Sequence, residues 1–151
     1  FHDILGDGFN IDHAIIGPAG IFIVETKTRS KPKDGKPTLT YDGNAIRIEA
    51  GPPIKRPLVQ ARAQAQWLAN LLNEGCAIQF KVRPIVVFPE WYIEQIGCRT
   101  KEEVRVINPK ALEKFVDYEP TILSPSDIDA ARIDLATIVE HPRISVNVGP
   151  S

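Results

Sequence analysis

The sequence has no methionine and only two cysteines, Cys76 and Cys98, in 151 residues. Two cysteines exclude a disulfide framework and a four-thiolate zinc site. They are expected to be buried thiols in a reducing compartment, the cytoplasm, and no secretory signal opposes that reading. A methionine-free chain that begins at Phe1 is expected to be a piece of a longer protein that carries additional domains. No apolar run approaches the roughly 20 residues that cross a bilayer, so no lipid membrane is expected as a partner of this segment. A net charge of −1 excludes a strongly polybasic protein. What remains is globular: 25% charged and 43% hydrophobic residues are the composition of a soluble domain rather than a disordered chain. A chain this long can bury about two thirds of its unfolded surface around one core.

The charge is unevenly spread. Residues 27–62 hold nine Lys or Arg against three acids, whereas residues 90–140 hold eleven acids against six bases. The basic stretch suits a polyanion and the acidic one suits solvent.

Residues 11–16 and 21–27 are β-branched runs joined by Gly17-Pro18-Ala19-Gly20, a hairpin signal with proline preset for the turn. A polar loop follows over 31–37. Residues 38–41 and 45–49, joined by Asp42-Gly43-Asn44, predict a second hairpin. The spacing of Ala61, Ala65, Leu68 and Leu72 predicts a helix over 57–73 with one core-facing stripe. Gln60 and Gln64 are placed beside that stripe. Residues 82–88 form a near-continuous apolar strand of the kind buried on both faces, with Pro84 at an edge or bulge. A short strand over 104–107, a helix over 109–116 and a final helix capped by Ser124 and running to about residue 140 complete the order. The fold class is α/β, a mixed sheet flanked by helices. Residues 1–120 are assigned to the main domain and 121–151 to a C-terminal helix and irregular tail.

In the first hairpin, cross-strand partners whose numbers sum to 37 put Asp12 opposite Glu25 and Asn10 opposite Lys27. Opposite residues share a face about 5 Å apart, and so do residues two apart on one strand. Asp12, Glu25 and Lys27 therefore converge. Two close carboxylates repel unless a cation lies between them or one takes up a proton. Mg²⁺ and Mn²⁺ are held by such pairs together with water and substrate phosphates. A neighbouring lysine can orient a water or neutralise charge developing on a phosphate. The pattern Glu-x-Lys alone is weak, since ten Glu and nine Lys give about 0.6 chance matches in a chain of this length. The apolar Ile-Phe-Ile-Val run before Glu25 is a better sign, because buried carboxylates without a role are uncommon.

The stretch Asn10-Ile-Asp-His-Ala-Ile-Ile-Gly-Pro-Ala-Gly-Ile-Phe-Ile-Val-Glu-Thr-Lys27 resembles the signature of the nuclease-related domain (NERD) family, which is grouped with the PD-(D/E)xK nuclease superfamily. The resemblance continues more loosely through Pro57-Leu-Val-Gln60, the helix after it and the Pro-Ile-Val-Val-Phe strand, over about residues 3–115. It implies a restriction-endonuclease-like fold and a metal-dependent DNA endonuclease. Asp12 and Glu25 would be ligands to Mg²⁺ or Mn²⁺, Lys27 the catalytic lysine, and Gln60 the polar residue on the helix that supports the site or touches the DNA backbone. Superfamily members often add an acidic residue from a helix before the first strand. Here that helix would precede Phe1, so the domain is expected to be clipped.

Arg29, Lys31, Lys33, Lys36, Lys55 and Arg56 are candidate phosphate contacts from loops beside the site. Gln64 is a weaker candidate for the role of Gln60 and is read in preference as a helix-surface amide, and His13, which follows Asp12, is read as a structural residue on the opposite face. Trp67, Trp91 and Tyr92 are assigned to packing in preference to base stacking. Cleavage of both strands of a duplex takes two sites, which a homodimer would supply. Two rival readings stay open: a nucleic-acid-binding or assembly module without turnover, and a regulatory domain whose partners lie in other parts of a longer chain.

Overall fold

The computed structural model describes residues 2–5, 10–30, 35–49, 51–74, 79–97 and 104–140. The chain opens with β1 (His2–Leu5), β2 (Asn10–Gly17) and β3 (Gly20–Thr26). Antiparallel pairing of β2 with β3 runs from Gly17↔Gly20 to His13↔Val24, so partners sum to 37 as the sequence predicts. Gly20 closes the turn at φ +126°, a conformation that side-chain-bearing residues rarely adopt.

Next come β4 (Thr38–Tyr41), β5 (Ile46–Ile48) and α1 (Arg56–Asn73), followed by β6 (Val82–Val87), β7 (Tyr92–Gln95) and β8 (Arg105–Ile107). Two helices finish the described chain, α2 (Pro109–Tyr118) and α3 (Pro125–Glu140). Asn108 caps α2 by accepting from Ala111 N, and Ser124 Oγ accepts from Asp127 N at the start of α3.

The main sheet has the order β1-β2-β3-β6-β8, antiparallel through β3 and parallel from β3 to β8. Its apolar strand β6 lies between β3 and β8. Pro84 falls where β6 has a partner on β3 but not yet on β8, whose pairing starts at Ile85. A residue without an N–H is tolerated at such a one-sided position.

The second hairpin, β4 with β5, does not extend this sheet. It forms a separate three-stranded sheet of order β5-β4-β7, in which β7 runs parallel to β4. Sequence pattern gave no sign of β7, which is four residues long with two of them exposed. Tyr41 ties this small sheet to the large one, its hydroxyl donating to Val104 O at 2.5 Å.

The two faces of the main sheet have separate cores. Ile21, Ile23 and Val86 pack with Leu58, Ala61, Leu68 and Leu72 of α1 and with Ala131 and Leu135 of α3. Phe22, Val24, Ile85 and Val87 pack on the other face, with Leu112 and Phe115 of α2 against them. Helices thus cover both faces, and the fold is α/β with mixed sheets, consistent with a restriction-endonuclease-like architecture. Trp67 is half-buried at the edge of the first core and Trp91 is buried within it, as packing residues should be, whereas Tyr92 is 50% exposed. Cys76, Cys98 and the tail after residue 140 lie outside the described residues.

Candidate active site

Alternation along β3 puts Ile21, Ile23 and Glu25 on the α1 face of the sheet. The same apolar strand that makes the core therefore carries a carboxylate into it, and Glu25 is only 4% exposed. Lys27 follows just past the strand end, where its backbone N–H continues the parallel ladder by donating to Val87 O at 2.9 Å.

Asp12 approaches from β2. The ladder between β2 and β3 stops one residue short of it, at His13, and its own Oδ2 accepts from Thr26 N at 3.1 Å. The backbone N–H of Asp12 in turn bonds the Glu25 carboxyl. These two bonds knit the end of the hairpin with the carboxylates side by side. His13 pairs with Val24, whose side chain belongs to the other core, which agrees with its placement on the opposite face.

Helix α1 completes the cluster. Gln60 Oε1 accepts from Lys27 Nζ at 2.9 Å, and Lys27 Nζ lies 3.6 Å from Glu25 Oε2. Residues four apart on a helix rise about 6 Å, and residues two apart on a strand about 6.6 Å. Gln60 and Gln64 are therefore spaced to meet Lys27 and Glu25 respectively.

Gln64 corrects the sequence reading. It is not a helix-surface amide but fully buried, and its side chain hydrogen-bonds Glu25. The signal was present, because position 64 is three after Ala61 and four before Leu68, which places it within the apolar stripe.

The electrostatics of Glu25 follow from this setting. Burial, first, and the neighbouring Asp12 charge, second, raise its carboxyl above the ordinary value of 4.5. Lys27 and the hydrogen bonds from Asp12 and Gln64 oppose that rise without cancelling it. Glu25 Oε1 is buried without a hydrogen bond. A hard divalent cation fits this donor set: two close carboxylates, one with an unsatisfied oxygen, in a place where their charges raise the cost of ionisation. Among the described residues no third His, Cys, Asp or Glu joins them.

Lys27 and Gln60 open onto a cleft of about 760 Å³, also lined by Arg29 and Arg56 and by apolar Ile54, Pro57 and Val59. The structure thus gathers Asp12, Glu25, Lys27 and Gln60 at one point and sets Arg29 and Arg56 beside it. Lys55 is exposed at the N-cap of α1 and is not part of the cleft lining. Lys36 is placed elsewhere, with Nζ 3.8 Å above the Tyr92 ring. Lys31 and Lys33 lie outside the described residues.

No helix among the described residues is long and apolar enough to cross a membrane. A family model described as the nuclease-related domain matches residues 1–89, more than half of the chain. No curated protein and no solved structure matches it.

Proposed function

The chain belongs to the nuclease-related domain family, and on that premise we propose that it is a metal-dependent endonuclease hydrolysing phosphodiester bonds of DNA. The observation that carries this reading is the meeting of Asp12, Glu25 and Lys27, with Lys27 Nζ bonded to Gln60 in the lining of a basic cleft.

Asp12 and Glu25 would hold Mg²⁺ or Mn²⁺, leaving further positions to water and to oxygens of the substrate. The ion, when bound, supplies Lewis-acid charge at the phosphate. Lys27 supplies a second, fixed positive charge. Held by Gln60, its ammonium is aimed into the cleft, where it can donate to a phosphate oxygen or orient an attacking water. Arg29 and Arg56 would grip the flanking backbone. The N-terminal turn of α1, which has no acidic residue, adds its dipole to theirs.

Titration of Mg²⁺ or Mn²⁺ into the wild type and into the Asp12→Asn/Glu25→Gln variant, with plasmid nicking measured on the same samples, tests this function. Saturable binding and nicking should both disappear in the variant. An unaltered nicking rate would reject it.

A second reading, a nucleic-acid-binding module without turnover, is favoured because no third His, Cys, Asp or Glu joins Asp12 and Glu25 among the described residues. It requires salt-sensitive DNA binding that EDTA and Asp12→Asn leave unchanged.

A further inference from the structure

A fully buried glutamine stands in the apolar stripe of α1, flanked by Ala61, Ala65 and Leu68, where leucine or alanine would continue the pattern. Gln64 reaches Glu25 from there, one helical turn beyond the point at which Gln60 holds Lys27. The Glu25 carboxylate has two charged neighbours, one that attracts it and one that repels it. Lys27 Nζ, 3.6 Å from Oε2, draws it out toward the cleft, and Asp12 repels it. Both forces turn the carboxylate toward Lys27 and away from Asp12. Two hydrogen bonds resist that turn, one from the Asp12 backbone N–H on the neighbouring strand and one from Gln64 on the helix.

We propose that Gln64 is a positioning residue for Glu25, fixing the carboxylate in the orientation that lets it bind a divalent cation jointly with Asp12 rather than close onto Lys27. The inference rests on the metal-binding reading of Asp12 and Glu25. Partners that orient a ligand from behind in this way characteristically change metal affinity 10- to 100-fold when they are removed.

The test is Mn²⁺ binding to the full chain, followed by the electron paramagnetic resonance signal of free Mn²⁺. Wild type, Gln64→Leu, Lys27→Met and the double variant are compared, with thermal unfolding as the check on folding. Gln64→Leu should keep a cooperative transition and bind Mn²⁺ about 10- to 100-fold more weakly. In the Lys27→Met background, where the competing ammonium is gone, the same change should cost less than about threefold. If Gln64→Leu does not fold, Gln64→Met, unbranched and of similar length, takes its place. Unchanged affinity in the Gln64 variant overturns the inference while leaving the metal site standing. An equal loss with and without Lys27 also overturns it, because it would mark Gln64 as packing alone. Failure of the wild type to bind Mn²⁺ overturns both the site and the inference.

Discussion

Lys27 Nζ donates to Gln60 Oε1 at 2.9 Å, so the ammonium at the end of β3 is held by the helix that crosses over the sheet. The bond joins residues 33 positions apart and fixes a flexible four-carbon side chain in the lining of the cleft. If that ammonium acts on the phosphate or on the attacking water, its removal should cost what positioned acid–base and electrostatic groups cost, about 10²- to 10⁴-fold in nicking rate. Lys27→Ala is expected to show that loss with a cooperative unfolding transition retained. Plasmid nicking by a Lys27→Ala protein at the wild-type rate would remove Lys27 from the mechanism.

Gln60 is expected to matter only through Lys27. Gln60→Ala frees the ammonium to move toward Glu25, and nicking should fall about tenfold, less than for loss of the lysine itself. Residues that act as one unit are not additive. The Lys27→Ala/Gln60→Ala double variant should therefore be no slower than Lys27→Ala alone. A double variant slower by the product of the two single effects would show that Gln60 touches the substrate independently.

Glu25 gives a prediction about pH. Its carboxyl is raised by burial and by Asp12, so the folded chain keeps a proton that the unfolded chain has already released. Folding then takes up a proton in the window between the ordinary value of 4.5 and the raised one, and stability falls as pH rises through that window before levelling off. Glu25→Gln removes the charge that burial penalises. In EDTA, chemical denaturation across a pH series should find the variant more stable than wild type above the window, with the difference vanishing below it. A variant less stable than wild type above the window but equal to it below would show that the Lys27 ion pair outweighs burial.

The core of the site was legible in the sequence because local chemistry fixes it. Gly17-Pro18-Ala19-Gly20 sets the turn, the turn sets the register, and the register brings Asp12 to Glu25. The helix containing Gln60 was equally plain from its apolar spacing. What escaped notice depends on distant pairing. Tyr92–Gln95 becomes a strand only because it finds the parallel edge of Thr38–Tyr41, more than fifty residues earlier, and nothing local announces that partner. Gln64 escaped for a different reason. A polar residue on an apolar stripe reads as exposed until something buried is known to receive it, and here the receiver is a carboxylate on another element. The basic loop shows the limit of charge counting: Lys36 and Arg29 belong to the same run, yet one lies on Tyr92 and the other lines the cleft.

That division makes salt dependence a residue-by-residue test of the cleft. A side chain that neutralises one phosphate releases condensed counterions, so log K falls with log salt by about 0.9 per contact on duplex DNA. Arg29→Ala and Arg56→Ala should each weaken binding across unrelated sequences and lower the slope by about one, because both residues line the cleft beside Lys27. Lys36→Ala should leave the slope unchanged, since its ammonium is engaged on the Tyr92 ring. Fluorescence anisotropy of a labelled duplex between 50 and 200 mM salt, in EDTA to suppress cleavage, separates these cases. If Lys36→Ala lowers the slope as much as Arg56→Ala, the polyanion runs over the small sheet as well as the cleft. If neither arginine changes it, DNA does not enter this cleft, and the charge excess of residues 27–62 serves another purpose.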